Sequence, residues 1–199
     1  MTGIILSGGE NRRMATNKAF LKIGGEFLIE RILQVFKGLF NEIIIVTNTP
    51  ELYISYDVIL VDDLIKKRGP IAGLYSGLLN SRNNYNFVVA CDMPFLNRSL
   101  ISFMMGFIKG NDIVVTRYNG LVEPLHAIYS KSCLPVIESC LNKNDSGLRD
   151  LLGVCKVRYI EENEISKIDP EMRSFININT PDDLNLVVSK ANIKVAEKV

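Results

Sequence analysis

Near its N-terminus the chain reads Ile4-Ile5-Leu6-Ser7-Gly8-Gly9-Glu10-Asn11-Arg12-Arg13-Met14. An apolar strand therefore runs directly into a glycine turn and a basic loop, and Lys18 follows shortly after. The two glycines let a ligand approach the backbone closely, while Arg13 and Lys18 place positive charge beside exposed N–H groups. This combination favours a nucleotide triphosphate as the ligand. The alternative is an ordinary glycine turn with solvated basic residues.

The segment matches neither of the two common nucleotide-binding motifs. Gly3 and Gly8 have the spacing of a P-loop, but Gly9 stands where that motif requires lysine, and Glu10 follows it. The three spaced glycines of the dinucleotide-binding motif are missing as well. The sequence therefore supports neither a P-loop NTPase nor a Rossmann dehydrogenase.

The length of 199 residues fits one domain with a full core, or at most two small ones. We interpret residues 1–199 as a single globular domain. The chain is 47% hydrophobic and 23% charged, which suits a folded core, and its net charge of +1 gives no general attraction for nucleic acid. No apolar stretch approaches membrane-spanning length, and residues 2–6 are too short for a secretory signal. The four cysteines have no paired metal spacing. We expect a cytoplasmic protein with reduced thiols and with neither a membrane nor a nucleic-acid partner.

Strand-like apolar runs alternate with helix-like periods along the chain. The predicted strands cover residues 2–6, 42–47, 58–61, 87–90, 113–116 and 125–129. Helices are predicted over residues 27–40, from Gly69-Pro70 to about Leu79, after Asn97 and after Thr180. This alternation predicts an α/β fold, a Rossmann-like and mostly parallel sheet with helices on both faces.

Polar segments follow the carboxyl ends of the first four predicted strands, where ligands bind in sheets of this kind. They are the glycine loop, Asn48, Asp62-Asp63 and Cys91-Asp92. We expect these loops to converge on one crevice that holds the chemistry.

Asp92 directly follows the most apolar strand and is the candidate metal ligand. A carboxylate at a strand end can hold Mg²⁺, which prefers one or two carboxylates together with phosphate oxygens and water. Pro94 stiffens the turn that follows. The alternative is that Asp92 only caps a turn.

Two further segments have a structural and a functional interpretation. Gly69-Pro70-Ile71-Ala72-Gly73 opens a helix whose free N–H groups suit an anion or a nucleotide edge, or it is merely a capped helix behind a solvated Lys66-Lys67-Arg68 run. His126 is the only histidine, and it lies in a strand-like run without a recognisable orienting partner. We therefore interpret it as structural rather than as a general base.

Asn177 and Asn179 alternate with apolar residues in Phe175-Ile176-Asn177-Ile178-Asn179. In a strand, both amides would face the same side, just before the helix start at Thr180-Pro181. Two amides there could recognise a polar heterocycle and an anion together. The alternative is a pair of turn-forming asparagines.

Taken together, these segments resemble the molybdenum cofactor guanylyltransferases, the MobA-type nucleotidyltransferases. The family's opening motif, Leu-Ala-Gly-Gly-x-x-x-Arg-Met-Gly-x-x-Lys, corresponds here to residues 6–18. The other matching segments are Gly69-Pro70-Ile71-Ala72-Gly73, Cys91-Asp92-Met93-Pro94-Phe95-Leu96, Glu123-Pro124-Leu125 and Asn177-Ile178-Asn179-Thr180-Pro181. Five such segments in order are highly specific, and the resemblance runs from residue 3 to about residue 187. The chain departs from the pattern at Ser7 (usually alanine), Ala15 (usually glycine) and Asn17 (commonly aspartate).

The resemblance implies a three-layer sandwich similar to the nucleotide-diphospho-sugar transferases, and it implies a reaction. The terminal phosphate of molybdopterin attacks the α-phosphate of GTP, pyrophosphate leaves, and a dinucleotide form of the molybdenum cofactor results. Arg13, Lys18 and Asp92 would be catalytic, with Asp92 holding the Mg²⁺ cofactor, and Asn177 and Asn179 would face the pterin. The implied nucleotide-binding residues are Leu6, Ser7, Gly8, Gly9, Lys18, Asn48, Asp63, Gly73 and Asp92. Proteins that deliver the cofactor and acceptor molybdoenzymes are the implied partners.

Two other interpretations stay open from sequence. One is a related nucleotidyltransferase that uses CTP or a sugar phosphate. The Gly8-Gly9 pair argues against CTP, and the Asn-x-Asn-Thr-Pro segment argues against a sugar. The other is a non-catalytic nucleotide- or pterin-binding adaptor, against which the presence of Arg13, Lys18 and Asp92 argues.

Overall fold

The computed structural model describes residues 1–8, 17–65, 68–143, 147–180 and 183–185. Gly9, Arg13 and Ala15 lie outside these ranges, as do Lys66 and Lys67. The strands are β1 (Thr2–Leu6), β2 (Lys22–Ile23), β3 (Glu26–Phe27), β4 (Glu42–Val46), β5 (Ile59–Val61), β6 (Tyr85–Ala90), β7 (Ile113–Tyr118), β8 (Leu121–Ser130) and β9 (Val157–Ile160). The α-helices are α1 (Leu28–Lys37), α2 (Pro70–Asn80), α3 (Arg98–Met105), α4 (Leu134–Leu141) and α5 (Glu162–Ile165). Short 3₁₀ turns include Lys18–Phe20, Pro50–Tyr53 and Arg173–Phe175.

Seven of these strands form one sheet in the order β5-β4-β1-β6-β8-β7-β9, and β2 pairs with β3 in a separate hairpin. Strand β8 runs antiparallel to both β6 and β7, whereas the other four pairs are parallel. Strands β1, β4 and β6 are almost wholly buried, and they are continuous apolar runs because layers cover both of their faces. The prediction of a mostly parallel sheet is confirmed.

Helices cover both faces of the sheet, as the sequence predicts. On one face, α1 and α3 pack against residues such as Ile5 and Phe87. On the other face, α2 and α4 pack against Ile4 and Val88. Neighbouring strand residues such as Ile4 and Ile5 point to opposite faces, and burying one such side chain stabilises the fold by about 1.5–3 kcal/mol.

Two glycines in and before α2 have clear conformational reasons. Gly69 has φ +68°, a left-handed backbone that favours glycine, and Pro70 then begins the helix as predicted. A Cβ at Gly77 would lie 2.8 Å from Cγ2 of Ile4. Glycine therefore lets α2 lie close against β1, which brings the N-terminal end of α2 near the end of that strand.

Several boundaries differ from the sequence-based predictions. Helix α1 ends at Lys37 rather than at residue 40, since Gly38 follows, and β8 is longer at both ends than residues 125–129. None of the helices among the described residues is both long enough and apolar enough to cross a membrane.

Residues 175–179 do not form the strand that would place both amides on one side. Phe175 ends a 3₁₀ turn, and the residues after it pair with no strand of the described chain. The Ile178 N–H donates to the carbonyl of Asp92, two residues after β6 ends at Ala90, at 2.9 Å. The alternating pattern persists nevertheless, since Ile176 and Ile178 pack together in a small apolar cluster.

Candidate active site

The carboxyl ends of the first four parallel strands are aligned by backbone hydrogen bonds. The bonds run from Ser7 N–H to Val46 O (2.8 Å), from Thr47 N–H to Val61 O (2.9 Å) and from Cys91 N–H to Leu6 O (3.1 Å). The polar residues that follow each strand therefore emerge along the same edge of the sheet, as the sequence predicts.

The middle of this edge is formed by Gly8 and Asn48. Both residues are exposed, and a Cβ on Gly8 would lie 3.8 Å from Nδ2 of Asn48. Gly73 approaches β1, the strand that leads to Gly8, because a Cβ on Gly73 would lie 3.4 Å from a Leu6 methyl. Gly73 and Leu6 are both buried, so this contact packs α2 closely on β1.

Asp63 marks one end of the edge. Its Oδ1 accepts the Ile65 N–H at 3.3 Å, and burial raises the pKa of this half-buried carboxyl above its usual value. Strand β5, which precedes Asp63, is three strands away from β6, which precedes Asp92. At the usual strand spacing, this separation is about 14 Å.

Asp92 marks the other end and is at the centre of a cluster of side chains. The Lys18 ammonium lies 3.3 Å from Oδ2 of Asp92 and 2.7 Å from Oδ1 of Asn179. The Lys18 and Asp92 side chains are 22% and 19% exposed, so a ligand can reach the pair while much of the surrounding water is excluded. The structure thus brings together three site residues that lie up to 161 positions apart in the sequence.

The two predicted amides have different surroundings. Asn179 is exposed and bonds to Lys18, whereas Asn177 is half-buried. Among the described residues, the Asn177 Oδ1 is buried without a hydrogen-bond partner. A buried acceptor without a partner costs free energy, so this oxygen indicates a place where a ligand donor would be favourable.

The helix start after Asn179 is confirmed by its cap. Asp183 Oδ2 accepts the N–H groups of Asn179 (2.9 Å) and Thr180 (2.8 Å), and Thr180 Oγ1 accepts the Asp183 N–H at 3.1 Å. This reciprocal pattern is a capping box. It fixes the backbone of Asn179 and thereby the position of the amide that contacts Lys18.

Glu123 is a site residue to which sequence reasoning gave no role. The β6–β8 pairing ends at Val89↔His126, so the antiparallel β8 continues from His126 towards Glu123 beside the turn that carries Asp92. The β7–β8 register shifts between Val115 and Thr116, which indicates a bulge. Proline within a strand is typical of a bulge, so Pro124 is the sequence signal from which this irregularity could have been predicted. Burial raises the pKa of Glu123, and the negative charge of Asp92 raises it further.

His126 is structural, in agreement with the sequence interpretation. It is fully buried beside Phe87 and Phe175, and burial lowers its pKa to about 4. Within the described ranges, neither ring nitrogen has a hydrogen-bond partner. A histidine without an orienting group and without access to the crevice cannot serve as a general base there.

Comparisons with known proteins agree on one family. The sequence pattern described as "MobA-like NTP transferase domain" matches residues 3–162. The chain is 38% identical over 186 residues to a molybdenum cofactor guanylyltransferase of Desulfosudis oleivorans, with 92% of each chain covered. It is 35% identical over 192 residues to a probable molybdenum cofactor guanylyltransferase of Clostridium perfringens, covering 95% of this chain and 96% of that one.

A solved structure agrees with these relatives. The crystal structure of molybdopterin-guanine dinucleotide biosynthesis protein A from Archaeoglobus fulgidus matches this chain with a TM-score of 0.84 at 28% identity. The match covers 96% of this chain and 99% of that one.

Proposed function

Because this chain belongs to the MobA-like NTP transferase family, we propose that it transfers GMP from Mg-GTP to the terminal phosphate of molybdopterin. Pyrophosphate leaves, and the guanine dinucleotide form of the molybdenum cofactor results. The guanylyltransferase relatives match nearly the whole chain, which supports the same two substrates here. The single observation that carries the proposal is the meeting of Lys18, Asp92 and Asn179 at the carboxyl edge of the parallel strands.

The nucleotide would lie along the strand-end edge. Guanine would bind towards Asp63, the ribose would pass Gly8 and Asn48, and the phosphates would reach Lys18 and Asp92. A span of about 14 Å between the two aspartates accommodates an extended nucleotide with its base at one end and its phosphates at the other. Gly9 and Arg13, which lie outside the described residues, belong to the same proposal from the sequence motif.

The residues at Asp92 fit Mg²⁺. The described chain contains no cluster of three or more metal-ligating side chains, but Mg²⁺ is commonly held by one or two carboxylates with the remaining positions taken by phosphate oxygens and water. The Lys18 ammonium already occupies a cation position beside Asp92, and the nearby Glu123 carboxyl adds negative potential. When bound, Mg²⁺ neutralises charge on the phosphate oxygens at the reacting centre.

The side chains present suit a transfer that needs positioning and charge neutralisation. The attacking phosphate of molybdopterin is already ionised near neutral pH, so a strong base is unnecessary. Lys18 would stabilise the charge that builds up on the leaving pyrophosphate. Its bonds to Asp92 and Asn179 hold the ammonium in place before the substrate binds, which reduces the reorganisation needed in the transition state.

Molybdopterin would approach from the side of Asn177 and Asn179. The buried Oδ1 of Asn177 offers an acceptor to an N–H of the pterin. The bond from Ile178 N–H to the Asp92 carbonyl ties this segment to the residue proposed to hold the metal. Proteins that deliver molybdopterin and molybdoenzymes that accept the product would be the partners, and the reaction would take place in the cytoplasm.

A pyrophosphate-release assay tests the proposal. With Mg²⁺ and molybdopterin present, release should depend on GTP and exceed release with CTP by more than about tenfold, or roughly 1.4 kcal/mol. Nucleotide-dependent thermal stabilisation provides a second measurement, because a selective ligand stabilises the folded state by mass action. Preference for CTP would replace the proposal with a cytidylyltransferase, and GTP binding without turnover would favour an adaptor.

A further inference from the structure

Tyr53 connects the two segments that flank residues 9–16 in the sequence. It is fully buried at the end of the Pro50–Tyr53 turn. Its hydroxyl lies 2.6 Å from Oγ of Ser7 and 3.3 Å from Nδ2 of Asn17. Burial raises the pKa of Tyr53 to about 12, so the hydroxyl keeps its proton at neutral pH.

The direction of each hydrogen bond in this group can be deduced. Asn17 Oδ1 accepts the Ala19 N–H at 3.1 Å, so the amide nitrogen faces Tyr53 and donates to its oxygen. Of the two partners of the Tyr53 hydroxyl, only the Ser7 oxygen can accept its single proton. Because buried donors are normally paired, we assign this proton to the bond with Ser7. A directed chain thus runs from Asn17 through the Tyr53 hydroxyl to Ser7.

The ring of Tyr53 contributes a separate, apolar contact. Its centroid lies 5.2 Å from that of Phe20, the last residue of the 3₁₀ turn Lys18–Phe20. Lys18 therefore lies between Asn17, which is bonded to the Tyr53 hydroxyl, and Phe20, which packs against the Tyr53 ring. Replacing Tyr53 with phenylalanine would remove the first contact and preserve the second.

The two partners of this hydroxyl are both departures from the family's opening motif. Ser7 stands where that motif has alanine, and Asn17 stands where it commonly has aspartate. An aspartate at position 17 could accept the tyrosine proton, whereas the amide nitrogen of Asn17 can only donate. With asparagine present, the tyrosine proton needs another acceptor, and Ser7 supplies it. The two departures therefore complement each other: Asn17 donates to the Tyr53 hydroxyl, and Ser7 accepts its proton.

We propose that Tyr53 is a positioning residue that holds Lys18 in place for phosphoryl transfer through its hydroxyl bonds to Asn17 and Ser7. The kinetic consequence rests on the proposed function, whereas the structural consequence does not. Two measurements therefore test the two parts separately.

Hydrogen exchange tests the structural part without any substrate. In Tyr53→Phe, exchange of the amides of residues 17–21 should accelerate, because the Ala19 N–H bonds to an Asn17 side chain that has lost its partner. The melting temperature should fall by no more than about 6 °C. The control is Tyr56→Phe, which alters a half-buried hydroxyl at 3.5 Å from Glu30 on α1. Unchanged exchange in Tyr53→Phe, or the same change in Tyr56→Phe, would overturn the proposal.

Kinetics test the positioning part. Tyr53→Phe should lower kcat about tenfold, the size expected for one or two lost hydrogen bonds, with a smaller change in KM for GTP. Ser7→Ala should lower kcat severalfold, and Ser7→Ala/Asn17→Asp should restore it, because the carboxylate then accepts the tyrosine proton. Failure of the double variant to recover, or normal kcat in Tyr53→Phe, would overturn the positioning role. If the unmodified protein does not transfer GMP, the proposed function fails, and hydrogen exchange alone decides whether Tyr53 anchors Lys18.

Discussion

The two ends of the strand-edge crevice are built very differently. At the Asp92 end, segments from distant parts of the chain are joined by side chains: Lys18 bonds to both Asp92 and Asn179, and Ile178 donates to the Asp92 backbone. At the Asp63 end, the contact of the carboxylate is local, to the N–H of Ile65 two residues later. The neighbouring Leu64 is 54% exposed.

This difference suits the proposed division of roles, with phosphoryl transfer at the Asp92 end and base recognition at the Asp63 end. Phosphoryl transfer gains most from groups held in place before the substrate arrives, and the Asp92 end has that character. Base recognition needs hydrogen-bonding groups that match one partner and are left unpaired with the wrong one. The half-buried Asp63 carboxylate can provide such a group. Substitutions at the two ends should therefore change different kinetic constants.

The largest effect is expected at Asp92. Asp92→Asn keeps the shape of the side chain but removes the charge proposed to hold Mg²⁺, so kcat should fall on the order of a thousandfold. The melting temperature should change little, because the partly exposed ion pair with Lys18 contributes at most about 1 kcal/mol. Asp57→Asn, an exposed change elsewhere, is the control. Near-normal turnover at saturating Mg²⁺ would remove Asp92 from the metal site.

Lys18 should give the second-largest effect. Lys18→Ala removes the cation proposed to meet the leaving pyrophosphate, and kcat should fall about a hundredfold. The matched control is Lys37→Ala, at the exposed C-terminal end of α1. The measurement is steady-state kinetics with Mg-GTP and molybdopterin. Equal losses in the two variants would show that general positive charge matters rather than the position of Lys18.

Sequence reasoning predicted the fold and the location of the crevice because both depend on local patterns. Continuous apolar runs identify buried parallel strands, and the residues after them must emerge at one edge. The glycine-proline start of α2, the Asn97 cap of α3 and the Thr180 cap were readable for the same reason, since each cap involves residues within a few positions.

The missed features all depend on distant contacts. Tyr53 lies 46 residues from Ser7, and nothing in Pro50-Glu51-Leu52-Tyr53 indicates a buried hydroxyl at the glycine loop. The place of Glu123 beside Asp92 can be predicted only when the β6–β8 register is known. The hydrogen bond from Ile178 to Asp92 can be predicted only when the end of β6 is known. Pattern cannot supply such information, because the period of a strand says which side a residue faces but not what lies there.

At the other end of the crevice, Asp63→Asn should reduce selectivity rather than turnover. If the carboxylate accepts hydrogen bonds from guanine, its loss should lower the preference for GTP over CTP at least tenfold, with kcat changed less than about threefold. Because burial raises the pKa of Asp63, acidification should protonate it sooner than an ordinary aspartate. GTP affinity should then fall as the pH drops through the raised pKa. A large loss of kcat with intact selectivity would contradict the division between the two ends.

The smallest and most discriminating effects are expected at Asn177 and Asn179, which sequence reasoning treated as one pterin-binding pair. In the structure only Asn179 contacts Lys18, while the Asn177 oxygen is buried without a partner among the described residues. Asn177→Ala should therefore weaken molybdopterin binding by about 1 kcal/mol, roughly fivefold, and leave GTP affinity unchanged. Asn179→Ala should additionally lower kcat severalfold, because Lys18 loses one of the two groups that position it.

Separate titrations with GTP and with molybdopterin, together with kcat, distinguish these outcomes. If Asn177→Ala weakens GTP binding and spares molybdopterin, the two substrate sides have been assigned in reverse. If both variants lose thermal stability along with both affinities, the asparagines hold the turn before the Thr180 cap, and neither recognises a substrate. A change in kcat confined to Asn179→Ala would assign Asn179 to the positioning of Lys18 and Asn177 to pterin recognition. The two roles would then meet at Ile178, whose N–H donates to the Asp92 carbonyl.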